Sequence, residues 1–206
     1  MSSSLSVHLL DVAATRALIG SHYDQLLEVI RDNFGDDLAR DDDYFRHQIE
    51  QGAPTAYDAL HAVVHGGPFR ENEDHAFQYG YAYMRLCSLT GSFLDNGCFT
   101  PHRGDWLSVV DGGLKALGIT AVSVEDFSLG SLPAPLPYTS IPGCGEWTPE
   151  HIARALEQFE ATKRATDASG QAPPLEPDVV DAVMQCLDWM RHAADQPGFG
   201  VIGFCF

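Results

Sequence analysis

The chain has 206 residues, of which 45% are hydrophobic and 10% aromatic, and this composition argues against a disordered protein. Its 29 acidic and 12 basic residues give a formal net charge of -17, which repels nucleic-acid backbones and anionic lipid. We therefore expect no nucleic-acid partner and no membrane partner. A basic protein would be attracted, and the length suits a single domain over residues 1–206.

The cysteines and the N-terminal stretch predict a cellular compartment. Five cysteines, an odd number without a Cys-x-x-Cys pair, argue against a zinc ribbon and against a secreted disulfide framework. The stretch MSSSLSVHLLD lacks the basic region and the apolar core of a signal peptide, and no apolar segment of membrane-spanning length follows. The expectation is a cytoplasmic protein with reduced thiols.

The first half of the chain predicts one strand and four main helices. Leu5, Val7 and Leu9 alternate with polar residues, which is typical of a short strand. Apolar residues at helical spacing follow, and Gly35 and Gly66 are expected to end two of the helices. The four predicted helices cover residues 21 to 35, 36 to 51, 55 to 65 and 74 to 93.

The second half predicts three more helices and a terminal strand. Gly112 and Gly113 interrupt the first of these helices, and each glycine costs about 1 kcal/mol relative to alanine. The helix therefore either bends there or packs very closely against another element. The segment 128 to 145, rich in Pro, Gly and Ser, is predicted as a long extended connection. The predicted helices begin at residues 106, 148 and 177, and the strand covers 198 to 206.

The order of these elements predicts the fold class. A strand at each end of the chain, with helices between, indicates that the two strands pair in one small sheet. The terminal strand is apolar on both of its faces, which is typical of a buried strand. We therefore predict an α+β fold: a predominantly helical single domain with a small sheet formed by the N- and C-terminal strands.

Three polar residues of the predicted helix 55 to 65 share one surface. Asp58, His61 and His65 lie three and four positions apart, a spacing at which two histidines reach one metal ion. The sequence has no His-Glu-x-x-His motif and no assured third ligand, and a histidine at position 65 also suits the negative end of the helix dipole. We therefore predict no metal site and no cofactor, and keep the three residues as candidates for ligand binding.

A second group of candidates surrounds the stretch TPHRGDW, residues 100 to 106. Cys98 and His102 have the residue types of a thiol nucleophile and its base, with Asp105 as the orienting group. The structural alternative is a packed thiol, the commonest state of cysteine, beside a helix entrance capped by Thr100-Pro101 or by Asp105.

Three further side chains belong to the same candidate set. Arg103 is one of only 12 basic residues in the chain. Trp106 is expected to anchor the helix that follows it. Tyr81 belongs to an aromatic set that is large enough to line a ligand cleft, although residues at helical spacing are more often core.

Three segments resemble one family. They are AYDALHAVVHGG (56 to 67), FTPHRGDWLSVVDGGLKALGI (99 to 119) and CLDWMRHAADQPGFGVIGFCF (186 to 206), and they are similar to successive segments of the YfbM-like family of uncharacterised bacterial proteins. Asp58, Leu60, His61 and Gly66 loosely fit that family's Asp-x-x-Trp-x-x-Leu-His helix, without its tryptophan. Blocks such as GGPF and HRGDWL are similar to a longer actinobacterial form. The resemblance implies an α+β fold, no established activity and no catalytic residue to carry over.

Two functional hypotheses follow. The first is a non-catalytic, acidic, cytosolic binding protein of the immunity or antitoxin kind that masks a basic partner. It is motivated by the net charge and by the absence of a nucleophile elbow or a phosphate-binding loop. The second is a small-molecule-binding protein or enzyme, with a cleft lined by aromatic residues and by the His, Arg and Asp side chains near 58 to 65 and 98 to 106. The sequence leaves open whether a reaction is catalysed.

Overall fold

A computed structural model of the chain describes residues 2–70, 72–169 and 173–206. Within these ranges the helices are α1 (Val12–Arg16), α2 (Asp24–Tyr44), α3 (Arg46–Glu50), α4 (Ala56–His65), α5 (Glu73–Thr90), α6 (Trp106–Ala116), α7 (Asp126–Leu129), α8 (Pro149–Ser169) and α9 (Pro177–Ala194). The strands are β1 (Ser2–Ser3), β2 (Leu5–Asp11), β3 (Ser92–Phe93), β4 (His102–Arg103), β5 (Gly143–Trp147) and β6 (Phe199–Cys205). Among the helices of the described residues, none combines the length and the apolar composition needed to cross a membrane.

The terminal strands pair as the sequence predicts. β2 and β6 are antiparallel over their whole length, from Leu5 opposite Cys205 to Asp11 opposite Phe199. They form the centre of a four-stranded sheet with the order β3-β2-β6-β5. The five inner residues of β6 are all buried, which explains why this strand is apolar on both faces. The predicted α+β fold with a sheet of N- and C-terminal strands is confirmed.

The chain divides into two compact units. The sheet unit comprises Met1–Val12, Gly91–Gly130 and Cys144–Phe206, and contains the four-stranded sheet and α6 to α9. The helical unit comprises Ala13–Thr90 and Ser131–Gly143, and contains α2 to α5. The assignment of residues 1–206 to one domain stays a prediction.

Large aromatic side chains fill the core of the sheet unit. Phe127, Trp147 and Trp189 are almost fully buried, and the ring centroids of Phe127 and Trp147 lie 4.7 Å apart. Each indole N–H has an acceptor: Trp147 donates to the Ser123 carbonyl over 2.9 Å and Trp189 to the Asp95 carbonyl over 2.6 Å. Truncating a buried aromatic residue to alanine typically costs about 3–5 kcal/mol, so these rings contribute much of the stability of the unit.

The glycine pair in α6 marks a close helix contact. The helix continues through both glycines, and a Cβ atom on Gly113 would lie 2.7 Å from Cγ1 of Val179 and 3.0 Å from Cγ2 of Val183. A Cβ atom on Gly112 would have nothing within 4 Å. Of the two predicted explanations, close packing is therefore correct for Gly113, and the close neighbour is α9.

This contrast gives a matched pair of substitutions. We expect Gly112→Ala to raise the free energy of unfolding by about 0.5–1 kcal/mol, because alanine is the better helix former. We expect Gly113→Ala to lower it by about 1–3 kcal/mol, because the branched valine side chains cannot rotate away. Urea unfolding of the two variants measures both values, and a stabilising Gly113→Ala would contradict the close contact of α6 with α9.

The helical unit departs from prediction in the middle of α2. The helix does not end at Gly35; it kinks at Phe34, whose φ of -127° and ψ of 19° are non-helical, and then continues to Tyr44. The boundaries of α4 are as predicted. The Thr55 hydroxyl accepts a hydrogen bond from the Asp58 N–H over 3.1 Å, and Gly66 ends the helix with a φ of 74°.

The acidic segment of α2 consists largely of paired carboxylates. Asp37 and Asp43 form ion pairs with Arg40 and Arg46, each one turn away on the helix surface. Asp41 pairs with Arg85 of α5 over 2.5 Å. The carboxylate of Asp42 accepts the N–H of Ala56 over 2.7 Å at the start of α4. Most of this acidic surface is therefore used in local structure.

Several other boundaries differ from expectation. The helix predicted to reach Phe93 ends at Thr90, because Ser92 and Phe93 pair with β2 as β3. The connection predicted over 128 to 145 contains the end of α7 and the start of β5. Asp105 is the N-cap residue of α6, but its side chain makes no capping hydrogen bond, so the predicted cap is incorrect in that respect.

β2 carries a buried histidine. His8 is only 4% exposed, its Nε2 lies 2.9 Å from the Ser6 hydroxyl, and its Nδ1 has no hydrogen-bond partner among the described residues. Its ring makes edge contacts with the rings of Phe93 and Phe204. Burial lowers the pKa of His8 from 6.5 to about 4, because the imidazolium ion loses its hydration.

His8 makes stability depend on pH in a defined direction. The unfolded chain takes up a proton at this residue below pH 6.5, whereas the folded chain does so only near pH 4. Folding stability is therefore lost as the pH falls from 6.5 towards 4, by about 2 kcal/mol between pH 7 and pH 5 from this residue alone. We expect His8→Leu to remove this part of the pH dependence in chemical-denaturation experiments. An unchanged pH profile would show that His8 is not buried in its neutral form.

Candidate functional site

The predicted site residues belong to the two units separately. Cys98, His102, Arg103, Asp105 and Trp106 lie in the sheet unit. The helical unit contains the other four, Asp58, His61, His65 and Tyr81.

In the sheet unit, side chains of α9 hold the segment before α6, residues 95 to 106, which we refer to as the 95–106 loop. The amide group of Gln185 accepts a hydrogen bond from the Cys98 N–H over 3.0 Å and donates one to the Asp95 carboxylate over 2.7 Å. The indole of Trp189 donates to the Asp95 carbonyl. The start of the loop is therefore fixed to α9.

The middle of the same loop is fixed to β2. The Thr100 hydroxyl donates to the Leu5 carbonyl over 2.9 Å and accepts the Leu5 N–H over 3.1 Å. The Asn96 side chain donates to the same carbonyl. At the end of the loop, the Trp106 indole donates to the Cys98 carbonyl over 2.8 Å. With this many attachments the loop presents its side chains in a preformed arrangement.

The loop and α9 enclose a pocket of about 390 Å³. A neighbouring cavity of about 320 Å³ shares Cys98 and Asp181 with it and extends along α9 to His192. We refer to the two cavities together as the α9 groove. The first pocket is lined by Cys98, Pro101, His102, Arg103, Trp106, Asp178 and Asp181. Four of the five predicted residues of this unit therefore line one pocket; whether they bind a ligand stays a prediction.

Two carboxylates of this pocket have no partner among the described residues. Asp178 and Asp181 are exposed, lie one turn apart at the start of α9, and form no hydrogen bond or ion pair within the part of the chain that the structure describes. Asp188, further along the groove, is paired with Arg191 over 2.9 Å. The sequence prediction missed Asp178 and Asp181. Their signal is the pair of acidic residues three positions apart in PDVVDAV, at the start of an amphipathic helix.

Cys98 and His102 are poorly arranged for nucleophilic catalysis. Burial raises the pKa of the Cys98 thiol, and the carboxylates of Asp181, Asp95 and Asp178 raise it further. His102 is buried, and its Nδ1–H donates to the Phe99 carbonyl over 2.8 Å. The thiol is kept protonated, and an activated cysteine requires the opposite environment.

The carboxylates around Cys98 predict its chemical reactivity. We expect iodoacetamide to modify Cys98 slowly near neutral pH, because the thiolate is the reactive form. Asp181→Asn removes the largest of the charge contributions, so the pKa of Cys98 falls and its alkylation accelerates severalfold. Peptide mass spectrometry separates Cys98 from the four other free cysteines. Equal rates in Asp181→Asn and in wild type would refute this account of the pocket's electrostatics.

In the helical unit, His65 is part of a chain of polar groups. Its Nε2 lies 2.8 Å from the Asp24 carboxylate, and its Nδ1 lies 3.0 Å from Nδ1 of His22. His61 stacks on His65, with ring centroids 4.2 Å apart and planes 8° apart. Asp58 is exposed in the first turn of α4. No group of three or more His, Cys, Asp or Glu side chains in the described residues is arranged to hold a metal ion.

Tyr81 belongs to an aromatic cluster. Its ring centroid lies 5.3 Å from that of Phe45 and 6.3 Å from that of Phe77. Burial raises the pKa of Tyr81, and Tyr44 and Asp41 raise it further. These contacts give Tyr81 a packing role between α5 and the end of α2.

The fold and the groove define a predominantly helical α+β protein with an acidic pocket beside its last helix. Over residues 1–206 the chain matches the family described as Domain of unknown function (DUF7691), and it belongs to that family. No curated protein and no solved structure matches the chain. The family description names no activity or ligand, and the resemblance to the YfbM-like family stays a prediction.

Proposed function

We propose that this protein is a non-catalytic, cytoplasmic binding protein whose α9 groove takes cationic side chains of a basic partner protein. The observation that carries the proposal is a pair of carboxylates, Asp178 and Asp181, which have no partner among the described residues and line one pocket with Trp106. A protein of this kind would act as immunity proteins and antitoxins do, by binding and masking a basic partner.

The chemistry of the pocket favours guanidinium and ammonium groups. Two carboxylates that lack intramolecular partners offer charge-assisted hydrogen bonds to an incoming arginine or lysine. Trp106 lines the same pocket, and a cation held over its ring would gain about 0.5–2 kcal/mol, depending on desolvation. The net charge of -17 increases the rate at which a basic protein arrives, and disfavours nucleic acid as the partner.

Arg103 gives the pocket a second, opposing charge. It is exposed in β4 and lines the same pocket as the two carboxylates. A cationic ligand is repelled by Arg103, whereas an anionic ligand is attracted by it. The sign of the effect of Arg103→Ala therefore distinguishes the two kinds of ligand.

A binding role also agrees with the environment of the thiol. The raised pKa of Cys98 and the hydrogen bond from His102 to Phe99 leave the pair without an activated nucleophile. The residues that line the pocket are held by the loop and by α9, as expected for a surface that binds with little rearrangement.

A small-molecule ligand is the second candidate. The observation that favours it is the pocket volume of about 390 Å³, within the range of about 300–1,000 Å³ typical of such sites. An anionic small molecule would use Arg103 and avoid Asp178 and Asp181. This second candidate function includes an enzyme that acts on such a molecule.

The experiment compares two double variants with the same change of charge. Asp178→Asn/Asp181→Asn neutralises the groove, and Asp37→Asn/Asp43→Asn neutralises two paired carboxylates of α2. In affinity capture from the native host near 0.05 M salt, we expect wild type and the α2 variant to recover one basic protein, and the groove variant to recover about tenfold less.

Salt and Arg103→Ala complete the test. We expect capture to fall steeply when salt is raised to about 0.5 M, because it depends on charge, and we expect Arg103→Ala to retain or strengthen capture. A partner that binds both double variants equally, or that is insensitive to salt, would reject the proposal. Binding that requires Arg103 and not the two aspartates would favour an anionic ligand instead.

A further inference from the structure

We propose that His22 and His65 form a binding site for a divalent transition-metal ion such as Ni²⁺ or Cu²⁺, with Asp24 orienting His65. The site lies in the helical unit and does not rest on the function proposed for the α9 groove. It differs from the sequence expectation of no metal site, which considered Asp58, His61 and His65 alone.

Backbone contacts place His22 beside the end of α4. The N–H groups of Gly20 and His22 donate to the carbonyls of Val63 and Val64, each over 3.0 Å. Gly20 and Gly66 are in close contact, since a Cβ atom on Gly66 would lie 3.3 Å from the Gly20 Cα. The turn that carries His22 is therefore fixed to the helix that carries His65, and the two imidazoles meet without relying on long flexible side chains.

The Asp24 carboxylate determines which nitrogen of His65 is available. A carboxylate accepts, so the nitrogen 2.8 Å from it, Nε2, carries the hydrogen. In the neutral ring Nδ1 then has the lone pair, and Nδ1 is the atom that lies 3.0 Å from His22. Histidines that bind metals commonly donate their other N–H to a carboxylate in this way, which fixes the ring and increases its basicity.

The two Nδ1 atoms are at a suitable separation for sharing one ion. Without metal, the hydrogen on His22 Nδ1 bridges the two atoms. On binding, that hydrogen moves to Nε2 of the same ring, and the two rings turn so that both Nδ1 lone pairs face an ion to one side of the line between them. Two nitrogens 3.0 Å apart, each about 2.1 Å from an ion, subtend an angle of about 90°. That is the angle between neighbouring ligands in octahedral and square-planar complexes, the geometries that Ni²⁺ and Cu²⁺ prefer.

One of the two imidazoles is open to solvent. His22 is exposed, so water can complete the coordination. His61 is stacked face to face on His65. Among the described non-glycine residues, only His22 has a positive φ, 54°. A left-handed conformation costs about 1–2 kcal/mol in an ordinary residue, and here it keeps the imidazole beside His65.

Calorimetric titration of the tag-free full-length chain with Ni²⁺ tests the site. We expect one ion per chain, and we expect Mg²⁺ not to bind, because imidazole is a poor ligand for it. His22→Asn and His65→Gln each remove one ligand and are expected to weaken Ni²⁺ binding at least about tenfold; asparagine tolerates the positive φ of position 22. Asp24→Asn is expected to weaken binding by about tenfold or more, as is usual for an orienting group.

The matched control is His47→Asn. His47 is another exposed histidine of the helical unit, and its Nε2 lies 3.0 Å from the side-chain nitrogen of Gln51. We expect this variant to bind Ni²⁺ as wild type does, and circular dichroism establishes that each variant is folded. Absence of Ni²⁺ binding at millimolar concentration, or equal binding by His22→Asn and His47→Asn, would overturn the proposal. Neither result bears on capture of a partner by the α9 groove.

Discussion

The antiparallel pairing of β2 with β6 is the interaction on which the sheet unit depends. It joins seven residues from the start of the chain to seven from its end, and places Leu5 opposite Cys205. Closing so long a loop is entropically unfavourable, so the pairing must be supported by side-chain burial on both faces of the strands. Part of this burial comes from Val7 and Val201, whose side chains have no exposed surface. They belong to the same core as Trp147 and Trp189.

The α9 groove is a consequence of that pairing. The 95–106 loop is attached on one side to Leu5 of β2 and on the other to Gln185 and Trp189 of α9, and α9 leads into β6. Both attachments therefore belong to elements that the terminal strands bring together. The same framework keeps Cys98 beside three carboxylates, which explains how a thiol in a surface pocket has its pKa raised.

The elements that could be predicted are those with a strong local signal. Thr55 and Gly66 define the ends of α4 through their own backbone preferences, and the alternation in β2 needs no tertiary information. β3 has two residues, which are too few to show a periodic pattern in the sequence. It forms because these residues pair with the edge of β2. The kink at Phe34 likewise has no local signal beyond the glycine that follows it.

The contrast between local and tertiary signals also explains which candidate site residues could be predicted from the sequence. The sequence predicts four residues that line this pocket because they are close together in the chain, between positions 98 and 106: Cys98, His102, Arg103 and Trp106. The 95–106 loop then holds all four. Asp178 and Asp181 reach the same pocket from a helix some 80 residues further on, and the chain alone gives no measure of that proximity.

His22 and His65 are 43 positions apart, and their contact depends on the packing of a turn against α4. Two side chains that are far apart in the sequence can be recognised as one candidate site only from the tertiary structure.

The acidic character of the chain alone does not select a ligand. A net charge of -17 attracts cations of every kind, and its influence is screened within about 10 Å at moderate salt. To select one cation, the protein needs polar groups that are not already engaged in ion pairs of its own. The carboxylates of Asp37, Asp41 and Asp43 are paired with arginines and gain little from a new cation.

Within the described residues Asp178 and Asp181 lack such partners, and they line one pocket with Trp106. This is why we propose an organic cation as their ligand. At the metal site that we propose, the selective group is instead the lone pair of an imidazole nitrogen, which a guanidinium group cannot use and a transition-metal ion can. The two proposed sites therefore suit cations of different chemistry, and the difference arises from the polar groups that the fold places at each: carboxylates in the α9 groove and imidazole nitrogens beside α4.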